Sequence, residues 1–168
     1  MKYWLSVFFL WFFLPAAGAV TPAPDQIGVG MMIGSITSAT GKYWLTGKSA
    51  LDFGLGVDNP GVVLYGDYLW HVPGMFGRNS QFGRETSGYF GGGLGLSFWD
   101  DDYECGRWHC ERRTTKKGTG VFIRGLFGFE WYPKPAPWGV FLELGPTILL
   151  TPVSGSGLDV GLGGRYYF

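Results

Sequence analysis

The last eleven residues alternate without a break, and this constrains the fold more than any other feature. Leu158, Val160, Leu162, Gly164, Tyr166 and Phe168 fall on one side of an extended chain, with Asp159, Gly161, Gly163, Arg165 and Tyr167 on the other, because successive side chains of a strand point to opposite faces. The split recurs upstream. In Trp138 to Leu150, Val140, Leu142, Leu144, Ile148 and Leu150 oppose Phe141, Glu143, Gly145 and Thr147; in Gly120 to Tyr132, Val121, Ile123, Phe127, Phe129 and Trp131 oppose Phe122, Arg124, Leu126, Gly128 and Glu130. Val62 to Val72 sets Leu64, Tyr68 and Trp70 against Tyr65, Asp67 and His71, and Tyr89 to Phe98 sets Phe90, Leu94 and Phe98 against Tyr89, Gly91, Gly93 and Gly95. With the shorter segments Ile27 to Ile36, Gly41 to Thr46 and Ser49 to Val57, the pattern predicts eight strands and no long helix. Turn residues separate them at Ser38-Ala39-Thr40-Gly41, Gly47-Lys48, Asp58-Asn59-Pro60-Gly61, Pro73 to Glu85, Asp100 to Lys117, Pro133 to Pro137 and Pro152 to Ser156. The fold class is therefore all-β, an antiparallel up-and-down barrel.

A soluble cup of lipocalin type would bury the apolar face, whereas a membrane barrel turns it outward. Four features favour the second arrangement. The other face is dominated by glycine, of which the 168-residue chain has 30, and it lacks the Lys and Thr rows of a wetted sheet; glycine suits the cramped interior of an eight-stranded barrel. Trp70, Phe129, Trp131, Trp138, Tyr166 and Phe168 gather at strand ends on one rim, and Phe98 and Trp99 at the other, as in the aromatic girdles of outer-membrane barrels. The long charged segment from Asp100 to Lys117 falls at the end opposite the first rim, and the sequence stops on Phe168 with no polar tail. Thirteen basic and thirteen acidic residues leave no net charge, so the electrostatic footprint of a nucleic-acid binder is missing. One feature departs from the scheme: Pro73 to Glu85 falls on the side where turns are normally short, so either a strand boundary is shifted or the barrel carries an excursion there.

Lys2, the apolar run Tyr3 to Leu14 and the small residues Ala17 and Ala19 read as an export signal cleaved after Ala19. An N-terminal anchor is the competing reading, but the run is shorter than the roughly 20 residues a spanning helix needs. Residues 1–19 are thus assigned to the signal peptide and 20–168 to the barrel. Cys105 and Cys110 in an exported chain predict a disulfide that tightens the 100–117 loop. Together with His109 they could instead supply three metal ligands, but no fourth has a zinc spacing, and no metal or cofactor is assigned.

Gly163, Tyr166 and the terminal Phe168 match the C-terminal signal by which bacterial outer-membrane proteins engage the barrel-assembly machinery. The Gly-rich stretch Ile27 to Gly34, Gly41-Lys42-Tyr43-Trp44-Leu45, Asp67-Tyr68-Leu69-Trp70-His71, Phe141-Leu142-Glu143-Leu144 with Pro146, and Arg165-Tyr166-Tyr167-Phe168 extend the likeness over most of the chain. The sequence resembles a family of small eight-stranded bacterial outer-membrane barrels of unassigned function, with the architecture of OmpA and OmpX. The resemblance implies integral outer-membrane localisation, with lipid, lipopolysaccharide and the assembly machinery as partners. It implies no activity.

The inward face carries Asp52, Asp67, Arg124, Glu130, Glu143, Asp159 and Arg165. Five acids facing two arginines in a narrow lumen should pair, since a lone buried charge is costly; Glu143 is expected to pair with Arg124, Arg165 or both. An ion or proton path is the functional alternative to a structural plug. The segment 100–117 places Trp108 with Arg107, Arg112 and Arg113 near the cysteines, a composition suited to gripping an extracellular protein ligand. The expected function is a non-porin barrel with a structural or surface-interaction role. The alternative is an enzyme that deacylates or acylates lipid A. That chemistry needs a nucleophile beside a base; His71 and His109 are the only histidines, and a rim position for His71, bonded to backbone or water, is the expectation.

Overall fold

The computed structural model describes residues 21–58, 61–77, 79–99, 118–134, 136–151 and 155–168. The export segment 1–19, Cys105, Cys110 and the loop residues Arg107, Trp108, Arg112 and Arg113 lie outside them. The alternation resolves into β1 (Ile27–Gly34), β2 (Thr37–Trp44), β3 (Ser49–Asp58), β4 (Gly61–Pro73), β5 (Thr86–Trp99), β6 (Gly118–Trp131), β7 (Trp138–Thr151) and β8 (Gly155–Tyr167). Each pairs antiparallel with its neighbours in sequence, and β1 closes the barrel against β8.

Two boundaries differ from the sequence reading. The Ser38-Ala39-Thr40-Gly41 stretch is strand, not turn, and β2 begins at Thr37. Its turn-like composition has another cause: Ser38 and Thr40 face the polar interior, where Ser38 shares a 3.1 Å hydrogen bond with the Tyr65 hydroxyl and Thr40 accepts from Arg165 Nε at 3.1 Å. The segment between β4 and β5 contains a short helix, α1 (Gln81–Glu85), which strand periodicity could not reveal; Ser80 caps it by accepting from the Gly83 N–H at 3.0 Å.

One perpendicular row of paired residues runs from Gly30 through Thr40, Gly54, Tyr65, Gly95, Phe122 and Leu149 to Gly155. On closure Gly30 lies opposite Arg165 instead, so the register has advanced by ten residues along β8. Eight strands with that stagger tilt about 40° from the barrel axis and enclose a backbone cylinder of about 8 Å radius. Such a lumen is filled by its own side chains. Aromatic rings fit because glycine stands directly across from them: Tyr65 opposite Gly54, Tyr89 opposite Gly128, Phe122 opposite Gly95, Phe141 opposite Gly163 and Tyr167 opposite Gly28. In each pair a Cβ on the glycine would lie within 2.5 Å of the ring.

The distribution of polarity is inverted relative to a soluble protein. Met31, Leu94, Phe127 and Leu158 are 60–65% exposed on the outer wall, while Lys42, Asp52, Asp67, Arg124, Glu130, Glu143, Asp159 and Arg165 are all buried within.

Candidate functional site: the interior charge network

Nine of the described charged and histidine side chains, Lys42, Asp52, Asp67, His71, Arg124, Glu130, Glu143, Asp159 and Arg165, are buried in the lumen. At the centre of one group is Glu130 of β6. Lys42 Nζ donates to its Oε2 at 2.7 Å, with both side chains 0% exposed, the Tyr167 hydroxyl donates to Oε1, and Arg165 Nη1 stands 3.8 Å from Oε2. Arg165 also donates from Nη2 to Asp52 at 2.6 Å. The cations rest on rings: Lys42 Nζ is 5.0 Å from the Trp44 centroid and 4.9 Å from that of Tyr89, and the Arg165 guanidinium is 3.8 Å from that of Phe141.

The second group centres on Arg124 of β6. Its Nη2 donates to Glu143 at 3.0 Å and its Nε lies 3.3 Å from Asp67, while the Tyr65 ring packs 4.3 Å from the guanidinium. Tyr89 joins the groups by donating its hydroxyl to Glu143 at 3.3 Å. Asp159 accepts from Thr147 at 2.7 Å. Asp52 and Asp67 are direct cross-strand partners, an unfavourable pairing of like charges that a guanidinium on each side offsets.

The network differs from the sequence expectation in two respects and narrows it in a third. Lys42 is a third interior cation, so five acids face three basic groups. Of the two partners expected for it, Glu143 pairs with Arg124, whereas Arg165 takes Asp52 and Glu130. His71 is not at a wetted rim: its ring is 1% exposed, 4.4 Å from that of Trp44 and 5.0 Å from that of Tyr89. The Ser87 hydroxyl comes within 3.4 Å of His71 Nδ1. This brings a Ser and a His together from either side of the β4–β5 segment, but Ser87 is also 1% exposed and both side chains point inward, away from the apolar outer wall. Among the described residues no three His, Cys, Asp or Glu side chains are arranged to hold a metal ion.

Lys42 and Glu130 belong to β2 and β6, four strands apart in an eight-strand ring. Their bond spans the lumen. Removing Glu143 should cost less than removing Glu130, because Arg124 keeps Asp67 nearby. Glu143→Gln is expected to lower stability by about 1.5–3 kcal/mol, the usual range for a hydrogen bond to a charged group. Urea unfolding in lipid vesicles measures it, and a loss as large as that of Glu130→Gln would show that Asp67 does not compensate.

On the outer wall, Trp70, Trp138, Tyr166 and Phe168 are exposed at the end of the barrel where β1 begins and β8 ends; Phe129 and Trp131 are half-buried there, and Phe98 is exposed at the opposite end. Of the C-terminal trio, Gly163 faces inward against Phe141, while the Tyr166 and Phe168 rings pack at 5.0 Å outside. The Phe168 N–H donates to the Ile27 carbonyl at 2.9 Å.

No family model matches the chain, and no curated protein matches it. Among solved structures, the N-terminal β-barrel domain of Pseudomonas aeruginosa OprF is similar, with a TM-score of 0.57 and 17% sequence identity over 88% of this chain and 100% of that one. At that identity the likeness is one of fold.

Proposed function

We propose that the protein is an integral barrel of a bacterial outer membrane whose lumen is plugged by ion pairs, and that its role is structural or one of surface interaction. The inverted polarity carries this reading: apolar side chains cover the outside, and charges that a soluble fold would expose are paired inside. Closure leaves no sheet edge, so the strands satisfy one another's backbone polar groups as hydrocarbon requires, and the apolar outer side chains suit contact with lipid. Export by cleavage after Ala19, recognition by the assembly machinery through Gly163, Tyr166 and Phe168 and contact with lipopolysaccharide complete the proposal. The segment 100–117, with Trp108 and its neighbouring arginines, is the part of the sequence best suited to grip an extracellular protein.

Purification of a monodisperse protein without detergent would refute the membrane reading. In planar bilayers the barrel should show no steady conductance, because the Lys42–Glu130 bond and the rings beneath it fill the lumen; porin-like currents would mean that the interior is open. Lipid A profiles of cells with and without the protein should be identical. An acyl change that His71→Ala or Ser87→Ala abolishes would establish the enzymatic alternative.

A further inference from the structure

The segment between β4 and β5 should cap the lumen or hang in water if it were a simple turn. Instead it folds back along the outside of the barrel. Met75 Sδ lies where a Cβ on Gly88 would approach within 2.2 Å, and Gly88 belongs to the outward set of β5 with Phe90 and Leu94. The Phe76 ring packs 5.7 Å from Phe129 and 6.3 Å from Phe82, the Phe82 ring lies 6.5 Å from Trp131, and Trp131 is 6.0 Å from Trp138. The far sides of these residues are open: Met75, Phe76 and Phe82 are 57%, 45% and 51% exposed.

Resting on the membrane reading above, we propose that this segment is an interfacial foot, with Met75, Phe76 and Phe82 inserted among the acyl chains of the phospholipid leaflet at the end of the barrel where β1 begins and β8 ends. The patch is continuous with the aromatic girdle, so whatever covers Phe82 also meets the lipid beside Trp131 and Trp138. The polar groups behind it are already satisfied, as an apolar medium demands. Glu85 accepts from Gln81 Nε2 at 3.0 Å and from Trp131 Nε1 at 3.2 Å, the Thr86 hydroxyl donates to the Phe82 carbonyl at 2.7 Å, and the Tyr132 N–H donates to the Glu85 carbonyl at 2.7 Å. The Gln81 bond, helped by Trp131 and by the Lys134 backbone and charge, holds the Glu85 carboxyl below its ordinary range. This contribution is complete above the unfolded carboxylate pKa and is lost as the pH falls through the lower folded value.

Collisional accessibility of nitroxide labels tests the proposal in phosphatidylcholine vesicles, in a Cys105→Ser/Cys110→Ser background. Labels are placed at Phe82→Cys, at Phe76→Cys as a second foot position, at Leu94→Cys on the mid-wall and at Lys48→Cys in the β2–β3 turn. The foot labels should favour oxygen over a nickel chelate severalfold relative to Lys48→Cys, though less than Leu94→Cys does. If they behave like Lys48→Cys while Leu94→Cys remains oxygen-accessible, the foot lies in water and the inference fails alone. Low accessibility of the foot labels to both reagents would put a protein surface there and would also overturn it. An aqueous Leu94→Cys label would instead bring down the membrane reading.

Discussion

Glu130→Gln should lower the unfolding free energy of the barrel by about 3–5 kcal/mol, the range for breaking a buried ion pair by removing one partner. Glu130 receives Lys42, Tyr167 and the more distant Arg165 at a position with no exposure. Its neutralisation leaves the Lys42 ammonium buried against two aromatic faces, which attract it but do not replace an anion. The double variant Lys42→Met/Glu130→Met should therefore be more stable than Glu130→Gln alone, since it leaves no orphan charge where the bond was. Urea unfolding in lipid vesicles of Glu130→Gln, of the single variants Lys42→Met and Glu130→Met and of the double variant gives all the values, the last three closing the cycle. Additive losses with coupling below about 0.5 kcal/mol would show that the two residues do not support one another. The pair also joins opposite walls, so Glu130→Gln is the variant in which any latent conductance should first appear in planar bilayers.

The faces of the strands were legible because a period of two leaves one reading of which residues share a side, and Asp67, Arg124, Glu130 and Arg165 all lie inward. Their partners were not legible. Which side chains meet across a lumen depends on the closing stagger between β1 and β8, and no local pattern encodes the ten-residue advance that sends Arg165 to Asp52 rather than to Glu143. The inward position of Lys42 is obscured because Ser38 and Thr40 ahead of it have turn chemistry; the alternation Ser38, Thr40, Lys42 and Trp44 puts it on the inner face. The foot was hidden for a different reason. Met75, Phe76 and Phe82 follow neither a strand nor a helix period, and what fixes them is the girdle they pack against.

The closing seam itself gives the second large effect. A Cβ at Gly30 would sit 1.8 Å from the Gly164 carbonyl oxygen and 2.8 Å from the Arg165 Cα, and both are backbone atoms of β8, which cannot rotate aside. Gly30→Ala must therefore part β1 from β8 locally, where Gly30 pairs with Arg165, at a cost of about 3 kcal/mol, the upper part of the usual overpacking range. Arg165 would be displaced from Asp52 as well, so the steric loss and the loss of the ion pair act at one place. Gly41→Ala is the contrasting variant on the next strand. Nothing lies within 4 Å of its Cβ position, and replacing a strand-interior glycine there should gain about 0.5–1 kcal/mol from the reduced freedom of the unfolded chain. The two alanines thus differ in sign as well as size, which urea titration of each variant in the same vesicles resolves. Equal effects would mean that the seam relaxes freely and that glycine at position 30 is not required for closure.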